Sequence, residues 1–428
     1  MSVAEKDRFK ETAIGWIPAT WDCVSQSEVV TFHNGRAYKL TEWEAEGTPV
    51  IRLQNLTGSG ETYYYSNLKL PPHQYVNKDD LLFMWSATFG PHIWRGEKAI
   101  YHYHIWKIDC SERVDRSYMF YSLSRFTEEM KNKTNGSTML HLTKAGMEKE
   151  SIALPPLPEQ RKIAAILTAV DDKLGVIARQ IETTQALKQG LMQNLFSQGV
   201  GIQDAAGRWV PHVEFKDSPI GKIPQNWDSK TLEDLSIENI TYGVVQPGEN
   251  LVGGVPLIRG GDIKGGNISR KLRTVSVEIS NQFKRTVLCG GELLVSLVGY
   301  PGETAVVPDD LAGANIARQA GMVRTSSRAM SEFVHCYLAS PTGKGCLLGG
   351  MIGSAQQVIN LKSLREVYVP MPPESEWMQI TSVCQSIFAK LDALEKKQAY
   401  YRTLKRGLMQ KLLTGEWRVN LESSPRTA

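Results

Sequence analysis

The chain has no run of 18 apolar residues, the length at which a stretch becomes a candidate membrane-spanning helix. Its first twelve residues are charged where a secretory signal peptide would carry an apolar core. The six cysteines are scattered without a CxxC pair or a framework spacing, so we expect reduced, mostly buried thiols. These absences predict a soluble, cytoplasmic protein without disulfides.

Motifs that carry catalysis are also missing. The sequence contains no GxxxxGK[ST] phosphate loop, no HExxH and no GxSxG. Gly58-Ser59-Gly60 is too short for a dinucleotide fingerprint, and no Asn-Pro-Pro-aromatic segment of the amino-methyltransferase type occurs. His102 and His104 alternate along a predicted strand, but no third ligand stands at a metal-site spacing. We therefore expect neither a catalytic site nor a metal site.

Bulk composition suits an ordinary globular protein. The 428 residues are 42% apolar, which is enough for two or three domains with their own cores. The formal charge of +4 is weakly basic for this length. It leaves both nucleic acid and neutral partners open.

The most informative feature is an internal repeat. Ile14–Asp22 returns at Ile220–Asp228, an offset of 206 residues that drifts to 217 along the chain. A repeat this long excludes a short-period solenoid and indicates two copies of one globular-plus-helix module. Further echoes, in the same order, are Pro49–Arg52 with Pro256–Arg259, Gly136-Ser137 with Gly353-Ser354, Leu154–Glu159 with Val369–Glu374, and Gly190–Gln193 with Gly407–Gln410.

Each copy begins with a globular part, at residues 1–153 and 201–370. Both parts are rich in Gly, Pro, Trp and Tyr, and short apolar segments such as 80–85 and 292–297 are typical of strands between turns. Residues 117–131 and 331–345 carry the apolar spacing of short helices. We predict an α/β (α+β) domain in each half.

Each copy ends with a long helix, within residues 154–200 and 371–428. Apolar residues recur at steps of three and four after Pro158, and the same pattern returns from Ile380 to Leu412. A helix of about 40 residues is roughly 60 Å long and cannot bury its apolar stripe alone. We therefore predict that the two helices pack antiparallel as a coiled coil about a pseudo-twofold axis; the alternative is that each lies on its own domain.

Glycines occur at matching positions inside and after the helices. Gly199 and Gly415 suit C-terminal stops. Gly190 and Gly407 lie within the helices, where Gly costs about 1 kcal/mol relative to Ala. They indicate close approach of a neighbouring backbone or a bend, unless the helices simply tolerate them.

The two helices are more similar in sequence to each other than the two globular domains are. This predicts that the helices bind the same kind of partner twice, whereas the domains bind two different ligands. Duplex DNA fits, because its backbone repeats while its base edges vary. Candidate DNA contacts lie in polar, Gly-containing loops and at two equivalent arginines, although each loop can be an ordinary turn and each arginine a structural ion pair. They are Arg36, Tyr38, Lys39, Arg52, Ser86, Thr88, Asn135, Ser137, Thr138 and His141 in the first domain, and Tyr242, Arg259, Ser296, Tyr300, Ser354, Gln356 and Gln357 in the second.

At this point the sequence resembles the specificity subunits of type I restriction-modification systems. Leu154–Leu167, continuing to Leu187–Gln193, resembles the central conserved helix of that family, and Gly407–Leu413 resembles the distal one. The Ile-Gly-x-Ile-Pro-x-x-Trp segment that opens each copy resembles the family's domain starts. The second helix departs in its first turn, Pro373–Gln379, which puts in doubt that both helices bind their partner identically.

The resemblance implies what each part does. Residues 1–153 and 201–370 become target-recognition domains that read two halves of a bipartite, asymmetric DNA site, and the helices fix the unread spacer between the halves. Two methyltransferase subunits, which carry S-adenosylmethionine, would dock on the helices and flip the target adenines. A restriction subunit would join for cleavage, and this chain would carry neither cofactor nor catalytic residue.

Two other hypotheses stay open from the residues alone. The paired helices and domains could form a protein-binding scaffold that does not read DNA, a hypothesis that salt-sensitive DNA binding would count against. An enzyme fused to its own DNA reader is the third possibility, although it needs catalytic motifs that the sequence does not show.

Overall fold

The computed structural model describes residues 8–86, 88–133, 142–349, 351–352 and 358–421. The chain divides into two compact units. The first unit comprises residues 1–178 and 397–428, and the second comprises residues 179–396. Both unit boundaries fall inside the long helices, and the domain boundaries predicted at 153, 200 and 370 stay a prediction.

The first unit combines strands with short helices and half of each long helix. Its α-helices are α1 (Leu53–Thr57), α2 (Arg116–Lys133), α3 (Lys144–Lys149) and the first part of α4 (Leu157–Ser197). Its strands are β1 (Phe9–Thr12), β2 (Gly15–Pro18), β3 (Asp22–Ser25), β4 (Val30–Asn34), β5 (Thr48–Ile51), β6 (Tyr64–Ser66), β7 (Tyr75–Val76), β8 (Leu81–Met84), β9 (Gly90–Ile93), β10 (Ala99–Tyr101), β11 (Ile105–Cys110) and β12 (Ser151–Leu154).

Two four-stranded sheets form the body of the first unit, in the orders β6-β5-β10-β7 and β4-β11-β8-β9. All pairs are antiparallel except β5 with β10, which run parallel. Strand β8 is buried at every residue, as its run of apolar side chains requires. Helix α2 packs against β9, and the core includes Phe32, Phe83 and Trp106.

The second unit has the same kinds of element. Its α-helices are α5 (Leu232–Leu235), α6 (Val277–Gln282), α7 (Arg328–Leu338), α8 (Pro341–Gly349), α9 (Leu361–Arg365) and the first part of α10 (Glu374–Leu412). Its strands are β13 (Ile202–Gln203), β14 (Trp209–Val210), β15 (Phe215–Ser218), β16 (Gly221–Pro224), β17 (Asp228–Thr231), β18 (Thr241–Tyr242), β19 (Val255–Ile258), β20 (Ile263–Lys264), β21 (Asn267–Ile268), β22 (Arg273–Val275), β23 (Leu293–Ser296), β24 (Thr304–Val306), β25 (Asn315–Ile316), β26 (Ala320–Val323), β27 (Met351–Ile352), β28 (Val358–Ile359) and β29 (Tyr368–Met371).

The sheet order of the first unit returns in the second. Strands β18-β26-β23-β24 repeat β4-β11-β8-β9, and β22-β19-β25 repeats β6-β5-β10, including the parallel pair β19 with β25. The hairpin β15-β16 has the register of β1-β2, and β17-β29 has that of β3-β12. The predicted α/β fold with two related halves is confirmed.

The predicted short helices have different outcomes. The prediction for 117–131 is confirmed by α2, which spans Arg116–Lys133. The single helix predicted over 331–345 is wrong, because α7 ends at Leu338 and α8 begins at Pro341. Proline lacks a backbone donor and disfavours a helical conformation in the residue before it, which here is Ser340.

The long helices follow the prediction closely. Helix α4 has 41 residues and α10 has 39, and the glycine beyond each end, Gly199 or Gly415, has a φ near +70° as a C-terminal stop requires. Within the first unit the two helices are in contact, since Lys405 Nζ lies 2.6 Å from Asp171 Oδ1. A Cβ at Gly190 or Gly407 would meet no atom of the described chain within 4 Å, so neither glycine serves close packing inside this chain.

Each unit is closed by a buried hydrogen bond between a tryptophan and a glutamate, which we call the Trp–Glu latch. Trp21 Nε1 donates to Glu159 Oε2 at 2.9 Å in the first unit, and Trp227 Nε1 donates to Glu376 Oε2 at 2.8 Å in the second. All four residues are almost fully buried. The latch therefore ties the hairpin end of each copy to the first turn of its long helix.

A buried carboxylate needs further donors, and each unit supplies them differently. Arg418 donates two hydrogen bonds to Glu159, at 2.7 and 2.9 Å. Glu376 instead accepts the backbone N–H groups of Val200 and Gly201 and lies 2.9 Å from His212 Nε2. The residue that completes the latch thus comes from the segment that follows the other long helix.

The latch corrects the alignment of the two copies. The residue before the proline pair, Leu154 or Met371, pairs with the aspartate that follows the buried tryptophan. Counting from there, Glu159 matches Glu376 rather than Glu374. The alignment of Leu154–Glu159 with Val369–Glu374 is therefore wrong by two residues, because the prolines in both segments allow two registers. The first turn of the second helix differs in sequence, as predicted, but it retains the buried glutamate.

The six cysteines are free thiols. Cys336 and Cys384 are buried, Cys289 is exposed, and the remaining three are half-buried. The prediction of thiols without disulfides is therefore confirmed, whereas the predicted burial holds fully for only two of them.

Candidate nucleic-acid interface

The loop after β4 carries three of the predicted contact residues. The guanidinium of Arg36 donates two hydrogen bonds to Glu42, at 3.0 and 2.6 Å, and lies 5.1 Å from the centroid of the Tyr38 ring. The backbone N–H of Lys39 donates to the same carboxylate, while the Lys39 side chain is exposed. These hydrogen bonds lower the pKa of Glu42 to about 2. The loop is thereby fixed, and the charge of Arg36 is already paired.

Aromatic rings extend from this loop to a second predicted residue. The Tyr38 ring lies 5.3 Å from Trp43, which lies 4.6 Å from Tyr64. The guanidinium of Arg52 stands 5.0 Å from the Tyr64 centroid. In the described part of the chain no carboxylate forms an ion pair with Arg52. The structure thus joins Tyr38 and Arg52 in one network and leaves a cation there that can meet a phosphate or a guanine edge.

The connection between β10 and β11 adds further rings. His102 lies 5.2 Å from His104, and Tyr103 lies 4.5 Å from the first and 3.8 Å from the second. Trp85, at the end of β8, lies 5.6 Å from His104. Sequence reasoning considered the two histidines only as a metal pair. Their alternation with Tyr103 was the signal that could have indicated an aromatic cluster.

Ser86 and Thr88, two more predicted contacts, follow Trp85 directly. Ser86 is half-buried and Thr88 is exposed. Both residues lie where the chain passes from β8 to β9.

Burial keeps the histidine and tyrosine rings of this network neutral near pH 7. It lowers the pKa of His102 to about 4, with smaller contributions from His104 and Arg52, and it also lowers the pKa of His104. Burial raises the pKa of Tyr38 to about 12, and the Tyr38 hydroxyl has no hydrogen-bond partner among the described residues. The rings therefore offer stacking faces and hydrogen-bonding groups, whereas the positive charge comes from Arg52.

The second unit presents a different set of groups at the equivalent place. Arg259 follows the parallel strand β19 as Arg52 follows β5. Unlike Arg52, it donates two hydrogen bonds to Asp262, both at 3.0 Å, although its side chain remains 46% exposed. The guanidinium of Arg259 is therefore engaged by Asp262 through Nε and Nη2, whereas that of Arg52 faces a ring.

Tyr300 and Tyr242 are the other exposed candidates in the second unit. Lys264 Nζ lies 4.9 Å from the centroid of the Tyr300 ring. An open cavity of about 460 Å³ is lined by Lys264 and Tyr300 together with glycines 265 and 299. Among the described residues, this face has fewer aromatic side chains than the face of the first unit.

The structure corrects the prediction for Ser296. This residue is fully buried in β23, and its Oγ donates a hydrogen bond to the carbonyl oxygen of Val298. The strand's run of apolar residues places every side chain of β23 in the core. Ser296 is therefore removed from the candidate contacts.

Seven predicted contacts lie outside the described residues and stay predictions: Asn135, Ser137, Thr138, His141, Ser354, Gln356 and Gln357.

The two faces are built on equivalent backbone. A Cβ at Gly35 or at Gly243 would collide with a neighbouring backbone carbonyl, so both positions require glycine. The next residue is Arg36 in the first unit and Val244, which is fully buried, in the second. Equivalent backbone positions thus carry a charged, half-buried residue in one copy and a core residue in the other.

Within the described residues, none of the helices combines the length and apolar character needed to cross a membrane.

Comparison with known proteins shows what the chain is similar to. Residues 18–185 match the family model of the type I restriction modification DNA specificity domain. The chain is 28% identical to the EcoBI specificity subunit of Escherichia coli, covering 93% of this chain and 87% of the relative. It is 26% identical to the MjaVIII specificity subunit of Methanocaldococcus jannaschii, covering 98% of each.

Solved structures share the fold. The S subunit of a type I restriction-modification system from M. genitalium superposes with a TM-score of 0.58 at 14% identity, covering 92% of this chain and 96% of that one. A chain from a structure that concerns complex assembly and conformational transition of the type I R-M system gives a TM-score of 0.53 at 17% identity, covering 94% and 99%. With this matching domain and these relatives, the chain is similar over nearly its whole length to specificity subunits of type I restriction-modification systems.

Proposed function

We propose that this chain reads DNA sequence for a type I restriction-modification complex, with each unit recognising one half of a bipartite, asymmetric site. The observation that carries the proposal is a contrast. Both units have the same sheet order and the same buried Trp–Glu latch, which together form one frame, whereas their exposed faces carry different residues. A duplex presents the same backbone at both half-sites, whereas its base edges differ, so one frame with two faces suits two half-sites of different sequence.

The face of the first unit has the chemistry that base reading needs. Among the described residues Arg52 forms no ion pair with a carboxylate, and a guanidinium can bind O6 and N7 of guanine in the major groove. The neutral rings around it provide hydrogen-bonding and apolar contacts without further charge. The second unit would use Tyr242, Tyr300 and Arg259, which predicts a different half-site.

We further propose that catalysis belongs to partner subunits. Two methyltransferase subunits carrying S-adenosylmethionine would dock on the repeated segments Leu187–Gln193 and Leu404–Gln410, and a restriction subunit would join them. Leu187 is 57% exposed, and Gly190 and Gly407 are exposed as well, which leaves these segments accessible. The complex would act on host and invading DNA in the cytoplasm.

A methylation map tests the proposal directly. This chain is co-expressed with a cognate methyltransferase subunit, and modified bases are located across the DNA of those cells. We expect a split, asymmetric motif with methylated adenines that is absent without this chain. If both proteins associate and no new motif arises, the chain acts as a protein-binding scaffold instead.

We also propose that the length of the long helices sets the spacer between the two half-sites, as a ruler would, and an insertion into one helix tests this. Helix α4 is uninterrupted from Leu157 to Ser197. Four residues inserted between 175 and 185 would add one turn, or about 6 Å. The preferred spacer in the methylated motif should then lengthen, by about two base pairs at 3.4 Å each. An unchanged spacer with full activity would remove the ruler from the proposal.

A further inference from the structure

The second unit contains a cleft of about 740 Å³, and part of its wall belongs to the segment Leu187–Gln193. Helix α4 lines it with Lys188 and Met192, α10 lines it with Phe388 and Leu391, and His335 of α7 lies on another wall. A volume of this size is within the range of pockets that hold small organic molecules. The cleft therefore has both charged and apolar walls.

Lys188 is the unusual group in this cleft. Lys344 Nζ binds Glu303 at 2.8 Å, and Glu303 also accepts the backbone N–H of Gly265, so that pair is satisfied. Lys188 Nζ lies 4.5 Å from the centroid of the Phe388 ring, and no carboxylate of the described chain forms an ion pair with it. Burial also lowers the pKa of Lys188. Glu303 attracts the Lys188 ammonium through space, but the hydrogen bonds of Glu303 go to Lys344 and Gly265.

The equivalent lysine of the first unit has a carboxylate partner. The repeated Gly-Leu-Met-Gln segments make Lys188 equivalent to Lys405 and Phe388 equivalent to Asp171. Lys405 Nζ lies 2.6 Å from Asp171 Oδ1, and the Tyr121 hydroxyl donates to Asp171 Oδ2 at 2.9 Å. The second copy has thus kept the lysine and replaced its carboxylate by a phenyl ring.

We propose that the cleft of the second unit binds a ligand through a carboxylate group, which occupies beside Lys188 the place that Asp171 occupies beside Lys405. The remainder of the ligand packs on the apolar wall that Met192, Phe388 and Leu391 form. A carboxylate and an ammonium in a partly buried cleft make a charge-assisted hydrogen bond, which is stronger than a neutral one.

Charge argues for a carboxylate rather than a phosphate. Glu303, Asp392 and Glu395 line the same cleft, so a dianionic phosphate or a stretch of DNA backbone would meet three acidic groups. A carboxylate brings a single negative charge beside Lys188 and therefore meets less repulsion from these groups than a phosphate does. His335 adds no charge near pH 7, because burial, with help from the Lys188 charge, lowers its pKa to about 4.

The carboxylate can come from a small molecule or from an acidic side chain of another protein. The second source rests on the proposed docking of partner subunits. Two probes represent the chemistry: benzoate, which has an apolar body, and N-acetyl-aspartate methylamide, which imitates an aspartate side chain. Each is titrated onto the full chain by calorimetry.

We expect saturable binding of at least one probe, weakened about tenfold or more in Lys188→Met through loss of a charged hydrogen bond. Phe388→Asp should abolish probe binding and raise the Tm, because the chain then supplies its own carboxylate. Lys405→Met is the matched control. It should lower the Tm by stranding Asp171 while leaving probe binding unchanged.

If neither probe binds, the Lys188 ammonium is followed by NMR in the complex with the partner subunits. A raised pKa of Lys188 on assembly, with no such change at the lysine in Phe388→Asp, would assign the site to an acidic side chain of a partner. No probe binding combined with an unchanged Lys188 overturns the proposal. If no complex forms, the proposed function fails, and the probe titration alone decides the cleft.

Discussion

The first unit holds Arg52 above the Tyr64 ring with no ion pair to a carboxylate in the described part of the chain, whereas the second holds the equivalent Arg259 in two hydrogen bonds to Asp262. Beneath these surfaces, Trp21 and Trp227 are buried alike and donate to equivalent glutamates. A buried carboxylate cannot lose a partner without a large loss of stability, whereas exposed residues change at little cost. The comparison teaches that the frame was kept for folding and that the faces were left to diverge.

The latch should give the largest effect on stability. Trp21→Ala and Trp227→Ala are each expected to lower the free energy of unfolding by about 3–5 kcal/mol, because a large cavity forms and a buried glutamate loses a donor. Urea denaturation measures the change, and hydrogen exchange locates it in the unit that carries the substitution. Trp16→Ala, at a residue that is 44% exposed, is the control. A small effect at only one tryptophan would break the equivalence of the two units.

Acid should destabilise both units through a histidine in each. The folded-state pKa values of His102 and His335 are about 4, below their ordinary value, so the unfolded chain binds protons first as the pH falls. The contribution of the two neutral histidines to the free energy of unfolding is fully present above about pH 6.5 and is lost as the pH falls towards 4. His102→Gln and His335→Gln should each flatten the fall in unfolding free energy over this range. An unchanged slope in both variants would contradict the neutral state assigned to these rings.

The two arginines should affect different halves of the DNA site. Arg52→Ala is expected to cost about 1–3 kcal/mol in specific binding and to relax one half-site. Arg259→Ala should relax the other half-site by a smaller amount, because its guanidinium is paired with Asp262. Competition binding against DNA altered in one half-site at a time measures both effects. Equal losses on all sequences would place the arginines at the phosphate backbone.

The helix glycines should give the smallest change in stability, and in the opposite direction. Gly190→Ala and Gly407→Ala lie in exposed helix with open space for a Cβ, so each should stabilise the free chain by about 1 kcal/mol or less. If partner subunits dock there, the same substitutions should weaken assembly, as measured by calorimetric titration. Stabilisation without any loss of assembly would mean that the glycines are merely tolerated.

Periodicity predicted the long helices well, because a stripe of apolar residues over about 40 positions has few other solutions. It failed at 331–345, where Pro341 divides the segment, and at the proline-rich start of α10, where two alignments fit equally well. The set of residues that form the candidate interface was harder to predict from the sequence. Arg52 and Tyr38 share a network only because Trp43 and Tyr64 join them, and these rings are far apart in sequence.

The sequence by itself determined the duplication, the strand and helix types, and the absence of known catalytic motifs, since these depend on local spacing and on residue order. Only the tertiary structure decided which groups are paired. Glu376 rather than Glu374 completes the second latch, Ser296 is buried, and Lys188 lacks the carboxylate that Lys405 has. The Trp227–Glu376 and Asp171–Lys405 pairs join residues more than a hundred positions apart, and the burial of Ser296 depends on what packs around β23, so local patterns encode none of the three.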